Sequence, residues 1–126
     1  MQEQHLFESA VIRVVPQVER EEFLNVGVIL YCKDEKFLKM KFKLDEARLK
    51  SLWSKVEISE LREQLVAFEQ ICAGGNEGGT IGKLTMPERF RWLTATRSTI
   101  IQTSKVHPGL CTNAGEMMER LFSQMV

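Results

Sequence analysis

The sequence predicts an α+β domain in which a small antiparallel or mixed sheet of three to four strands is covered by three to four helices. Strand-like segments crowd into residues 7–43, after which apolar residues recur at every third or fourth position instead of every second. With 126 residues, 44% of them hydrophobic and 27% charged, the chain has the size and composition of one globular domain. We therefore expect a single domain over residues 1–126.

The first two strands are predicted by β-branched and aromatic residues. Residues 7–15 form an apolar run that stops at Pro16, as a strand does where it enters a loop. Residues 23–32 are apolar on both faces except at Asn25 and Gly27, so we expect a central strand. A glycine among bulky strand residues indicates that another group approaches closely.

The third strand is predicted at the edge of the sheet. Residues 33–36 form a polar turn, and residues 37–43 then alternate between apolar residues and lysines. Because lysines protect exposed edges against strand addition, we assign Lys39, Lys41 and Lys43 to that role rather than to nucleic-acid binding. The short connection between the second and third strands predicts an antiparallel meander over residues 7–43.

Helices are predicted over about residues 45–72. Asp45 is a suitable N-cap for a short first helix. A second helix runs from about Ser59 to Cys72, and its apolar stripe contains Leu61, Leu65, Phe68 and Cys72. The glycine-rich segment 74–82 follows, and we expect a flexible loop there.

The last third, residues 86–125, is predicted to hold a helix, a possible strand and a closing helix. Thr85 and Glu88 have the spacing of a capping box, and residues 98–103 can return as a strand. Residues 107–109 (His-Pro-Gly) predict a turn. Asn113 and Glu116 begin the closing helix, whose predicted apolar face is Met117, Leu121, Phe122 and Met125.

Composition excludes several classes of protein. Lys+Arg and Asp+Glu both number 17, so the formal net charge is zero, which disfavours a general nucleic-acid binder. The longest apolar run, residues 26–32, is too short to cross a membrane. We expect no leader segment, because no basic stretch followed by an apolar core precedes the first strand. The three cysteines are widely spaced and indicate reduced thiols in a cytoplasmic protein.

No motif specifies a reaction or a cofactor. The glycine-rich segment lacks the Lys-Ser/Thr pair of a phosphate-binding loop, since Leu84 follows Lys83. The acidic loop with Glu19, Glu21 and Glu22 has no metal-ligand spacing and is typical of a solvated turn. His107 is a possible general base, but nothing orients it toward a serine or Cys111. We predict no cofactor, no metal and no catalytic residue, and we favour a protein that is not an enzyme.

The segment 88–109 is the richest in recognition chemistry. It places three arginines among threonines, serines and Trp92. Arginine forks and short hydroxyls can hold a phosphate or a carboxylate, and they can equally tether an irregular loop. Both interpretations stay open at this point.

A second set of candidates lies in the first two strands. If these strands pair in antiparallel fashion, Arg13 and Asn25 lie on one face near Glu22. A functional role competes here with the simpler interpretation that Arg13 forms an ion pair with Glu22 or a neighbour.

Two passages together resemble a known bacterial family. The chain resembles the family catalogued as domain of unknown function 3037 in the sequence and the order of two segments, AVIRVVPQVEREEFLNVGVIL (10–30) and ERFRWLTATRSTIIQTSKVHPGL (88–110). The resemblance implies an accessory or regulatory partner of a HipA-like serine/threonine kinase. The candidate ligand- or partner-binding residues within these passages are Arg13, Glu22, Asn25, Arg91, Trp92, Arg97, Ser98 and His107.

Three functions follow as hypotheses. The first is an accessory or regulatory protein that binds a protein partner through an arginine- and hydroxyl-rich surface. The second is a small enzyme or sensor in which Arg91 and Arg97 clamp a phosphorylated or other anionic ligand. The third, nucleic-acid binding through the lysine strand, is disfavoured by the neutral net charge. A homodimer is compatible with a chain of this size, and no membrane association is expected.

Overall fold

The computed structural model describes residues 3–17 and 20–126. In this part of the chain it shows an α+β architecture with one antiparallel five-stranded sheet. The strands are β1 His5–Val14, β2 Leu24–Cys32, β3 Phe37–Phe42, β4 Ile101–Thr103 and β5 His107–Cys111. The helices are α1 Glu46–Leu52, α2 Ile58–Ala73, α3 Gly79–Gly82, α4 Met86–Leu93 and α5 Ala114–Met125. The predicted fold class is confirmed, with more strands and helices than expected.

The predicted meander is confirmed, and β1 occupies its inner position. Along the sheet β3 pairs with β2 and β2 pairs with β1, while the other side of β1 is shared by β4 and β5. β2 is buried over most of its length, as its apolar sequence predicts. β3 is an edge strand, although Lys41 is partly covered because its ammonium contacts Glu119 of α5 at 2.5 Å.

The fifth strand corrects the prediction of a turn at residues 107–109. β5 begins at His107 and pairs with the first half of β1, so that Pro108 lies opposite Glu8. A proline cannot donate a ladder hydrogen bond, but it is tolerated in a strand whose other side has no neighbour. The predicted strand at 98–103 is shorter than expected and comprises Ile101–Thr103.

Local capping signals fix the helix ends as predicted. The Asp45 side chain accepts from the amide of Arg48 at 3.2 Å, and Thr85 and Glu88 form a complete capping box. Asn113 caps α5 by accepting from the amide of Glu116 at 2.9 Å. α2 ends at Gly74, whose φ of 81° lies in the left-handed region that favours glycine.

The glycine-rich segment, which the sequence predicts as a flexible loop, contains two short helical turns. Asn76–Gly78 form a 3₁₀ turn, and the short helix α3 follows directly. Gly75 donates its amide to the carbonyl of Gly82 at 2.8 Å, and a Cβ atom at Gly82 would lie only 2.6 Å from the oxygen of Gly75. The glycines therefore permit a close backbone contact that ties the two ends of the segment together.

Helices cover both faces of the sheet and define two cores. One face packs its apolar residues against α1, α2 and α4, with Leu65 and Leu93 fully buried between them. The opposite face packs against α5 around Leu30 and Met118. The predicted face of α5 is partly corrected, because Met118 is its buried methionine and Met125 at the helix end is exposed.

No helix among residues 3–17 and 20–126 is long and apolar enough to cross a membrane.

Candidate partner-binding surface

A β-bulge in β2 brings Arg13 and Asn25 together. Ile12 pairs with Gly27, but the next residue, Arg13, pairs with Asn25, so Val26 is the extra residue. A strict two-residue period would place Asn25 and Gly27 on one face, as the sequence suggested. The bulge instead turns Asn25 toward the α5 side, where its amide donates to the carbonyl of Met125 at 3.1 Å.

Gly27 is required at this bulge because β3 approaches it closely. A Cβ atom at Gly27 would lie 2.4 Å from the carbonyl oxygen of Lys41 and 2.9 Å from Cβ of Phe42. The glycine in β2 predicted that another group approaches it closely, and that group is the neighbouring strand β3.

Arg13 lies against an exposed aromatic ring. Its guanidinium carbon is 4.0 Å from the centre of the Phe23 ring, and 48% of Phe23 is exposed. An ion pair of Arg13 with Glu22, which the simpler interpretation offered, is not formed, since Glu22 pairs with Arg20 at 2.8 Å on the surface. A pair with Glu19 of the same loop lies outside the described residues. Arg13 donates no hydrogen bond to any other described residue, and its Nε is buried without a partner.

Asn25 and Met125 extend this surface. The Oδ1 atom of Asn25 is buried and has no partner among the described residues, while Met125 is 43% exposed. A cavity of about 160 Å³ opens beside Asn25, with Phe122 on its apolar side and Asp45 and Arg48 on its charged side. We call Arg13, Phe23, Asn25 and Met125 the Arg13 surface.

Arg97 and Trp92 also meet, but they form a tether for the end of α4. Arg97 donates to the carbonyls of Trp92 at 2.6 Å and of Leu93 at 3.2 Å. Its guanidinium lies 4.8 Å from the Trp92 ring and 5.2 Å from the Phe68 ring. Burial lowers the pKa of Arg97 below its ordinary value. A cation on the last carbonyls of a helix stabilises its C-terminus, which accounts for both Arg97 and Trp92.

The hydroxyl side chains of the same segment serve a similar purpose. Thr94 donates to the carbonyl of Phe90 at 2.8 Å, and Thr103 donates to the carbonyl of Thr94 at 3.3 Å. Ser104 accepts from the amide of Val11 at 2.9 Å. Of the two interpretations of this segment, these contacts favour tethering of an irregular connection.

The remaining candidates lie apart from the Arg13 surface. Arg91 and Ser98 are exposed and make no side-chain hydrogen bond within the described part of the chain. His107 is exposed on β5, opposite Ser9. Glu22 lines a separate cavity near Trp53, and Glu19 of the same acidic loop lies outside the described residues. The structure therefore brings together two pairs, Arg13 with Asn25 and Arg97 with Trp92.

Sequence reasoning missed two features. Phe23 and Met125 were assigned to a buried strand and to an apolar helix face, yet both are exposed, Phe23 against Arg13 and Met125 beside Asn25. Their positions at element ends, where coverage by a neighbour stops, are the only sequence signal for this. Cys32 and Cys111 also lie close together, which their separation in the sequence does not indicate.

Comparison with known proteins identifies the family. The family model described as "Protein of unknown function (DUF3037)" matches residues 9–126, so the chain belongs to this family, as its two characteristic passages suggested. No curated protein and no solved structure matches the chain.

Proposed function

We propose that this member of the DUF3037 family is a non-enzymatic accessory protein that binds a protein partner through the Arg13 surface. The observation that carries the proposal is an arginine with unused hydrogen-bonding capacity against the exposed Phe23 ring, opposite Asn25, which in turn contacts the exposed Met125. Arginine, methionine and aromatic residues are the types enriched in protein interfaces.

The polar groups of this surface support a partner that supplies hydrogen bonds. A buried polar atom without a partner costs about 1–3 kcal/mol. Arg13 Nε and Asn25 Oδ1 are two such atoms on adjacent strands, and the Phe23 ring covers the guanidinium. A partner that displaces this ring could offer an acceptor to Arg13 and a donor to Asn25, while it buries Phe23.

The alternative of an anionic ligand clamped by Arg91 and Arg97 has less support. Arg97 already donates to two backbone carbonyls, and Arg91 is exposed elsewhere on α4. Nucleic-acid binding along β3 also has less support, because Lys41 contacts Glu119 and the Phe122 ring.

The first partner to test is a HipA-like serine/threonine kinase, which the family resemblance suggests. The kinase and this chain would be co-purified, and the dissociation constant measured by isothermal titration calorimetry. At an interface hot spot, truncation costs about 2 kcal/mol or more. We therefore expect Phe23→Ala and Arg13→Ala each to weaken binding at least about 30-fold.

Leu110→Ala is the matched control. Leu110 is 58% exposed and lies beside Leu6 in the β1–β5 pair, at the other end of β1 from Arg13. It should bind the partner as the wild type does, and circular dichroism should show that all three variants are folded. Equal affinities for Phe23→Ala and the wild type would contradict the proposed surface, and no binding by the wild type would remove the kinase as partner.

A further inference from the structure

Two cysteines that are far apart in the sequence converge beside a carboxylate. Cys32 ends β2 and Cys111 ends β5, and both side chains are buried next to the start of α5. Their Sγ atoms and a carboxylate oxygen of Glu35 all lie within 4.8 Å of one another. Two segments of the chain, the β2–β3 hairpin with Cys32 and Glu35 and the end of β5 with Cys111, therefore bring three potential metal ligands to one place.

Glu35 is held in position by the backbone. It lies in the turn between β2 and β3, and its Oε1 atom accepts from the amide of Ala114 at 2.7 Å. This hydrogen bond fixes the carboxylate against the first turn of α5 and leaves its second oxygen for another contact. An ordinary apolar packing of two thiols does not require a carboxylate at this distance.

A histidine with an orienting carboxylate lies next to this cluster. His5 is opposite Cys111 in the register of β1 and β5, and residues that face each other across a pair of strands project to the same side. Its Nδ1 atom is 3.2 Å from Oδ2 of Asp34. Metal-binding histidines commonly have this carboxylate contact, because it directs the other ring nitrogen toward the ion.

We infer that Cys32, Cys111 and Glu35 form a binding site for a divalent metal ion, with His5 as the fourth ligand. Two thiolates, one imidazole and one carboxylate in a four-coordinate site favour Zn²⁺. Zinc bonds of about 2.0–2.3 Å require donors slightly closer together than 4.8 Å, so Cys32, Glu35 and Cys111 need small side-chain rotations. His5 lies outside this 4.8 Å group, and its ring would have to turn toward the group to complete the site. On binding, the two thiols lose their protons to solvent and the sulfur atoms bond to the ion.

The inferred site would join β1, β2 and β5 at the end of the sheet remote from the Arg13 surface. Asn25 and Cys32 are seven positions apart along β2, a distance of roughly 23 Å. The metal would therefore stabilise the fold without contacting the partner surface, and the inference does not depend on the proposed function.

The test uses the full chain, reduced and stripped of metal. Zn²⁺ would be titrated in competition with a chromophoric chelator, and Co²⁺ would serve as a spectroscopic probe. We expect one ion per chain, thiolate-to-cobalt charge-transfer absorption and the visible bands of tetrahedral cobalt. Asp34→Asn should lower zinc affinity by about 10–100-fold, as changes to groups that orient a ligand typically do.

Three substitutions separate binding from folding. Cys111→Ser should abolish the cobalt charge-transfer band of a two-thiolate site. Glu35→Gln keeps an oxygen acceptor for the amide of Ala114 but removes the charge, so it should weaken zinc binding while the metal-free protein melts as the wild type does. Cys72→Ser is the control, because Cys72 is buried elsewhere and burial raises its pKa to about 12.

The inference is overturned if the reduced wild-type chain binds no zinc, or if Cys111→Ser binds it as tightly as the wild type. It is also overturned if mass spectrometry shows that Cys32 and Cys111 form a disulfide in protein purified with zinc present throughout.

Discussion

Arg13 and Arg97 both lie against aromatic rings, yet their guanidinium groups are used differently. Arg97 donates to two carbonyls at the end of α4 and lies between the rings of Trp92 and Phe68. Arg13 lies against one exposed ring, and its Nε has no partner among the described residues. The difference teaches that an arginine beside an aromatic ring can be a tether with satisfied donors or can keep a donor without a partner, and this is why the proposed surface is placed at Arg13 and not at Arg97.

Loss of Arg97 should have the largest effect on stability. Arg97→Ala removes two charge-assisted hydrogen bonds to the C-terminus of α4, and hydrogen bonds to charged groups contribute about 1.5–3 kcal/mol. We expect a decrease of about that size in the free energy of unfolding, measured by urea denaturation, with partner affinity unchanged.

Arg91→Ala is the control for that experiment. Arg91 is exposed on the same helix and makes no side-chain hydrogen bond or ion pair with the described residues, so its loss should change stability by less than about 0.5 kcal/mol. If Arg97→Ala proved as stable as Arg91→Ala, the assignment of Arg97 as a tether would be wrong.

A methyl group at Gly27 should disturb the Arg13 surface from a distance. In Gly27→Ala the new Cβ would overlap the backbone of β3, and overpacking of this kind costs roughly 1–3 kcal/mol. Because the same bulge sets Arg13 opposite Asn25, we expect both a lower melting temperature and weaker partner binding.

Gly115→Ala offers a matched comparison, since its new Cβ would first meet Oδ1 of Asn113 at 3.3 Å, whereas at Gly27 it would meet a backbone oxygen at 2.4 Å. Calorimetry that showed equal melting temperatures for the two alanine variants would argue against a strict need for glycine in β2.

The smallest expected effect concerns the start of α4. Hydrogen bonds from Thr85 lower the pKa of Glu88 below its ordinary value. A carboxyl group whose pKa is lowered in the folded state stabilises the protein above its unfolded pKa, and this contribution disappears as the pH falls through the folded value. Glu88→Gln should therefore differ from the wild type slightly at neutral pH and less below about pH 4.

Thermal melts between pH 7 and pH 3 would measure this difference. Glu63→Gln provides the baseline, because Glu63 is exposed on α2 and its side chain makes no hydrogen bond to any residue that the structure describes. A gap between Glu88→Gln and the wild type that widened in acid would contradict the assigned role of the capping box.

The structure confirms the sequence predictions that rest on local patterns and corrects those that depend on neighbours. The meander, the edge position of β3, the Asp45 cap and the Thr85–Glu88 capping box follow from spacing along the chain. β5 was missed because Pro108 is compatible with a strand only if that strand lies at an edge, which its own residues do not reveal.

For the Arg13 surface too, some features could be predicted from the sequence and others depend on neighbouring elements. The sequence predicted that Arg13 and Asn25 share a face, and they do, but only because of the bulge at Val26. Regular antiparallel pairing onward from Ile12 and Gly27 would have set Arg13 opposite Val26. The exposure of Phe23 and Met125 could not be predicted, because it depends on where α5 ends relative to the sheet.

The sequence by itself determined the family, the α+β class, the helix caps and the pairing of the first three strands, since each follows from residue types at short separations. Only the tertiary structure decided which arginine has its donors satisfied and which two cysteines meet. Those outcomes depend on contacts between residues far apart in the chain, such as Cys32 and Cys111, which no local spacing encodes.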